Sequence, residues 1–130
     1  MVAIGEASRL SGVSIEAIRY YERAGIVAKP ARTAAGRRVY SEAGIAALRF
    51  IKRCRDLGFS IEASVALRSL ATEPASCGTA EELGRRHLAE VRGKIEHLRH
   101  MEAALTELTA NCAEGRTDCP MLRSIAEADA

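Results

Sequence analysis

The sequence predicts a mainly α-helical chain, compact in front and rod-like behind. Three observations carry this expectation. Aromatic residues are only 4% of the 130 and Trp is absent, while Ala, Leu and charged residues, which are good helix formers, abound. Helix start and stop signals recur at short spacing up to residue 72. Beyond Pro74 one helical pattern runs to about Ala110 with neither Pro nor a turn cluster inside it. The length suits one domain, or a small domain with an appended element.

Each element has a local reason. Ile4–Leu10 reads as a short helix broken at Ser11-Gly12. Ser14 then serves as N-cap of a second helix, Ile15–Ala24, stopped by Gly25. Two short helices about a tight glycine-containing turn make a helix-turn-helix. On the second helix Ile15 and Ile18 are expected to pack inward, and Glu16, Arg19, Tyr20 and Arg23 form the opposite face at i, i+3, i+4, i+7. Gly36 marks a turn, and Arg38-Val39-Tyr40 a strand with Arg38 and Tyr40 on one face. The two flanks of that turn make a two-stranded wing. Four cations lie within Lys29–Arg38 (Lys29, Arg32, Arg37 and Arg38), with the Tyr40 hydroxyl beside them, a set that suits phosphate oxygens.

Ser41 opens a helix to about Leu57, with Ile45, Leu48, Phe50 and Ile51 as its apolar positions and Arg49, Lys52, Arg53 and Arg55 as a basic surface. Gly58-Phe59-Ser60 is a break and a new cap, followed by a helix over Ile61–Leu70. Thr72-Glu73-Pro74 is a linker. Thr79 and Glu82 fit a capping box that starts the long helix. Leu88, Val91, Ile95 and Leu98, then after a slip Met101, Leu105 and Leu108, keep a coiled-coil spacing. No second helix of similar length exists in the chain to cover that seam, so its simplest partner is another copy, antiparallel or parallel. A short helix through Met121, Leu122 and Ile125 ends the chain. The expected domain organisation is residues 1–72 as a winged helix-turn-helix domain, 73–110 as linker and dimerisation helix, and 111–130 as a polar loop and short C-terminal helix; a DNA-binding role for the first and a metal-binding role for the last are expectations.

Charge separates the two halves. Residues 1–60 carry 11 basic and 5 acidic side chains, residues 61–130 carry 8 and 12, so the front is expected to meet a polyanion. No stretch free of charged residues exceeds seven, far short of the roughly 20 apolar residues of a membrane span. With no secretory pattern at the start, four cysteines point to a reducing cytoplasm and to metal or redox chemistry rather than a disulfide framework.

Cys112 and Cys119 bracket a polar loop, and Cys77 lies just before the predicted start of the long helix, where the helix dipole favours the thiolate form that binds metals. A helix of thirty-odd residues is a rod of roughly 48 Å, so Cys77 and Cys112 of one chain cannot meet. In an antiparallel pair, Cys77 of one copy meets Cys112 and Cys119 of the other, giving two three-thiol sites. Cys54 stands outside this geometry and reads as structural. His97 and His100 read as helix-surface residues. A thiol redox sensor of the same fold, with Cys112 and Cys119 oxidised across their loop, is the alternative. An enzyme is disfavoured, since no C-x-x-C accompanies a βαβ pattern.

The segments Ile18-Arg19-Tyr20-Tyr21-Glu22-Arg23-Ala24-Gly25, Gly36-Arg37-Arg38-Val39-Tyr40 and Phe50 through Ser60, with the long helix and the cysteine loop, resemble the MerR family of bacterial transcription activators over essentially the whole chain. The resemblance implies a winged helix-turn-helix followed by a long antiparallel coiled-coil dimerisation helix and a C-terminal metal-binding loop. It implies a homodimer on double-stranded promoter DNA, at a palindromic operator that it distorts so that RNA polymerase can engage. It implies DNA contacts from Arg19, Tyr20, Arg38, Tyr40 and Arg55; Ser14, Arg23 and Arg37, beside them on the same two elements, join this set. Cys77, Cys112 and Cys119 match the ligand positions of metal-sensing members. A cysteine at position 77, where sensors of monovalent copper or gold carry Ser, points to a divalent soft ion: Hg, Pb, Cd or Zn, one per site, shared between subunits. Ser64 departs from the pattern, standing where relatives have an apolar residue.

Overall fold

A computed structural model describes residues 1–72, 77–110 and 119–127. Its elements are α1 (Ile4–Ser11), α2 (Ile15–Arg23), β1 (Ala31–Arg32), β2 (Arg38–Val39), α3 (Glu42–Asp56), α4 (Ile61–Leu70), α5 (Cys77–Ala110) and α6 (Pro120–Glu127). The chain divides into two compact units, Met1–Gly84 and Arg85–Ala130.

Within the first unit, short-range chemistry fixes the elements. Gly12 takes φ +76°, a left-handed conformation that costs a glycine nothing, and its N–H closes α1 on the Ser8 carbonyl at 2.9 Å. Ser14, Ser41 and Ser60 cap α2, α3 and α4, each side-chain oxygen accepting from a backbone N–H three residues on, at 3.1 Å. The α1–α2 turn is itself tied by the Ser8 hydroxyl donating to the Val13 carbonyl at 2.6 Å.

The wing is a minimal antiparallel pair with Ala31 opposite Val39 and Arg32 opposite Arg38. Gly36 supplies the positive φ its turn needs, and the Arg32 guanidinium braces that turn by donating to the Gly36 carbonyl at 2.8 Å. Val2 and Tyr40 add a bridge, exchanging two backbone bonds of 3.0 and 2.7 Å, so the residues before α1 extend the wing sideways.

The core gathers Ala7, Val13, Ile18, Val27, Tyr40, Ile45, Ala47 and Leu48, with α3 packed against both α1 and α4. Ile51 and Cys54 continue the buried stripe of α3. Ser64, in α4, is fully buried, and its hydroxyl donates to the Ser60 carbonyl at 2.7 Å. A small polar side chain thereby fills a core position without an unmet hydrogen bond.

Two expectations change. Ile15 does not pack inward as Ile18 does: it is the first residue of α2, at the rim of the turn, and remains exposed. The long helix begins at Cys77, two residues before the expected capping box. Gly78 and Thr79 fall in its first turn, where backbone N–H groups lack helical partners anyway and weak helix formers cost little. Cys77 is therefore the first residue of α5 and not part of the approach to it.

In the second unit, α5 continues to Ala110. Leu88, Ile95, Leu98, Met101 and Leu105 are 43–59% exposed, and α5 as a whole holds no buried residue. The apolar spacing read from the sequence is thus present as a bare stripe. The segment 111–118, with Cys112, lies outside the described residues.

Candidate nucleic-acid interface and cysteine positions

α2 and the wing present the basic surface. Arg19, Tyr20 and Arg23 are exposed along α2, on the face opposite the buried Ile18. Ser14 is exposed too, with its hydroxyl oxygen engaged by the Ala17 N–H. The Tyr20 ring leans on Tyr21 at a centroid distance of 5.9 Å, which limits its freedom. Arg37 stands exposed at the wing turn.

Two concavities open between α2 and the wing. One, of about 260 Å³, is lined by Arg19, Arg32, Arg37 and Arg38 together with the start of α1, and every charged residue in it is cationic. The other, of about 370 Å³, is lined by Glu22, Arg23, Lys29, Pro30, Arg32 and Arg38. Arg32 and Arg38 border both. Side chains of this sign, held by a hairpin and a helix, fit the spaced phosphates of a nucleic-acid backbone.

Arg38 and Tyr40 do share one face of the strand, as alternation requires, but that face turns toward α2. The Tyr40 hydroxyl donates to one carboxylate oxygen of Glu22, and the Arg38 guanidinium forms an ion pair with the other, Nε to oxygen 3.2 Å. Glu22 and Tyr40 are buried, and Arg38 is about one-third exposed. Burial drives the Tyr40 hydroxyl far above the usual tyrosine range; the Glu22 hydrogen bond and charge push the same way, against Arg38 and Arg19. Glu22 was missing from the sequence-derived set. Its signal was present: a carboxylate one turn beyond Ile18, on the apolar phase of α2.

Arg55 is exposed near the end of α3, where it donates to the Phe59 carbonyl at 2.7 Å and so also closes the α3–α4 turn. Cys54 is buried, and that burial raises its thiol above the ordinary value, partly offset by the Ser64 hydrogen bond. Cys77 is exposed on the first turn of α5, and Cys119 is half-buried immediately before Pro120, the first residue of α6. Both stand at helix starts, where the dipole favours anions. His97 and His100 are exposed on α5. Among the described residues of one chain, no three His, Cys, Asp or Glu side chains converge.

Known proteins match along the whole of this architecture. The model of the MerR helix-turn-helix family of regulatory proteins matches residues 2–69, and the MerR DNA-binding model matches 45–108. The HTH-type transcriptional regulator HmrR of Sinorhizobium medicae is 39% identical over 95% of this chain and 86% of its own. A mercuric resistance operon regulatory protein of Bacillus cereus is 34% identical over 94% of this chain and 95% of its own. The solved structure of the regulator PbrR691 of Ralstonia metallidurans CH34, in complex with lead(II), superposes with a TM-score of 0.81 at 33% identity, covering 96% of this chain and 99% of that one. A family model over more than half of the chain and relatives of this identity and coverage lead to one conclusion: the chain belongs to the MerR family of helix-turn-helix regulators, DNA-binding transcription factors and not enzymes.

Proposed function

We propose that this regulator is a homodimeric, metal-responsive transcriptional activator working in the cytoplasm, its two copies crossing antiparallel along α5. The observation that carries the reading is α5 itself: 34 residues with no buried side chain and an apolar stripe at coiled-coil spacing. At ~1.5 Å per residue it is about 50 Å long. Burial of that stripe against a second copy removes five large apolar side chains per chain from water.

The same antiparallel crossing brings Cys77, at the start of one α5, to the end of its partner's α5, beside Cys112 and Cys119 of the partner subunit. The donor set is sulfur only, which fits a soft divalent ion: Hg or Pb with three thiolates, Cd or Zn with a further ligand. A bound ion would supply a strong crosslink between the thiolates of two subunits. The descriptions of relatives support a heavy-metal inducer: heavy metal-dependent transcription regulators in Rhizobium meliloti, mercuric resistance regulators, and the lead(II) complex of PbrR691. Ser14, Arg19, Tyr20, Arg23, Arg37, Arg38 and Arg55 are the residues we assign to the DNA-facing surface. The dimer's two-fold axis matches a palindromic operator, and altered DNA twist on metal binding would let RNA polymerase engage both promoter elements.

The test is a promoter–reporter titrated with Hg, Pb, Cd and Zn salts, in wild type and in Cys77→Ser. Induction by at least one of the four, lost in Cys77→Ser while promoter binding by the purified protein persists, is the expected result. Metal induction that survives in Cys77→Ser overturns the ligand assignment, and induction by oxidant without metal overturns the metal reading.

A further inference from the structure

α2 and the wing meet over a single buried carboxylate in the middle of a cationic surface. Glu22 is 5% exposed, on the last turn of α2; it accepts from the Tyr40 hydroxyl and is ion-paired with the Arg38 guanidinium. Arg23, Lys29 and Arg32 border the same concavity. By sign alone, an anion there works against the attraction that those cations exert on phosphates. Its geometry shows what offsets that. The two carboxylate oxygens hold two different groups of β2 and its end, so the wing is tied to α2 by one hydrogen bond and one ion pair to a single buried charge, and a hydrogen bond to a charge is stronger than a neutral one. The ion pair fixes the Nε side of the Arg38 guanidinium against Glu22, and Arg38 borders both basic concavities.

We infer that Glu22 is a positioning residue for DNA recognition: it locks the wing to α2 and aims Arg38, and the Tyr40 hydroxyl acts through Glu22 and not on a phosphate. The inference rests on α2 and the wing reading DNA. It adds that the register between them is set by a residue that DNA never touches, and it turns Tyr40 from a contact into a support.

The sign of one substitution tests it. Glu22→Gln is nearly isosteric and removes a negative charge beside the polyanion. With a purely electrostatic role, DNA binding becomes equal or tighter. With the positioning role, affinity for a duplex that the wild-type protein selects from a random-sequence pool falls about tenfold, the factor that one hydrogen bond to a charged group is worth. The slope of log affinity against log salt becomes shallower by up to about 0.9, one phosphate contact, as Arg38 loses its aim, whereas a purely electrostatic role leaves the number of phosphate contacts unchanged. A double-mutant cycle with Tyr40→Phe adds the second criterion: Glu22→Gln/Tyr40→Phe binds no worse than the weaker single variant, whereas additive losses mean that Tyr40 reaches DNA independently and overturn the inference. Binding is measured well below each variant's melting temperature. A spectroscopic readout accompanies it: the Tyr40 phenol, which the Glu22 bond and charge help hold above the ordinary tyrosine range, is expected to ionise at lower pH in Glu22→Gln, read by phenolate absorbance. If that chain does not fold, the cycle of Tyr40→Phe with Arg38→Lys decides, coupling supporting the shared carboxylate and additivity refuting it. A wild-type protein that selects no duplex refutes DNA reading itself and is thereby distinguished from failure of the clasp.

Discussion

The two units solve the burial of apolar surface in opposite ways. Met1–Gly84 places Ile18, Leu48 and Ile51 fully inside and leaves no buried polar side-chain atom without a partner among the described residues. In Arg85–Ala130 the apolar side chains of α5 face outward. The first unit specifies its own structure. The second states a requirement that a single copy does not meet.

The sharpest way to break the contrast is a charge in the stripe. Leu98→Asp puts two carboxylates into a dimer seam, each costing several kcal/mol when buried without a counter-charge. Sedimentation is expected to show monomers at micromolar concentration, while thermal melting of the first unit is unchanged. A variant that remains dimeric removes the seam assignment. Leu48→Ala attacks the other side of the comparison: it deletes a fully buried side chain and is expected to cost about 2–5 kcal/mol in the denaturation of the first unit, with dimerisation retained.

How much of this was legible follows the range of the interactions. Serine caps at 14, 41 and 60 and the turns at Gly12 and Gly36 are local chemistry, and the helices they bound appear within two residues of where the sequence put them. The Val2–Tyr40 bridge was not legible, because it pairs segments 38 residues apart that carry no periodicity of their own. At the interface, Arg19, Tyr20, Arg23 and Arg37 stand exposed as their helix face and turn position require. Tyr40 could be placed on a face with Arg38, but which way that face turns depended on Glu22, a nonlocal partner. Cys77 was located at a helix start and proves to lie within the first turn; Cys112 lies outside the described residues.

Two smaller effects sharpen the account of the first unit. Ser60→Ala removes the cap on the Ala63 N–H and is expected to lower stability by about 1 kcal/mol in denaturant titration. The last effect is confined to alkaline pH. The Tyr40 hydroxyl is held in its neutral form, with its folded pKa raised above the unfolded value of about 10. Its contribution is therefore complete below about pH 10 and is lost as pH rises through the raised folded value. Melting temperature in wild type is expected to fall more steeply above pH 10 than in Tyr40→Phe; parallel curves would mean that the phenol is not so held.

The burial of Cys54 has a practical consequence for anyone who wishes to follow by chemistry the thiols we assign to the metal site. An alkylating reagent such as iodoacetamide attacks exposed thiolates, and in the folded protein Cys54 offers neither exposure nor a readily formed thiolate, whereas Cys77 lies open at the head of α5. Labelling at neutral pH then discriminates between these two sulfurs without any cysteine being engineered away, and protection of Cys77 by an added ion can be read by mass on the native protein.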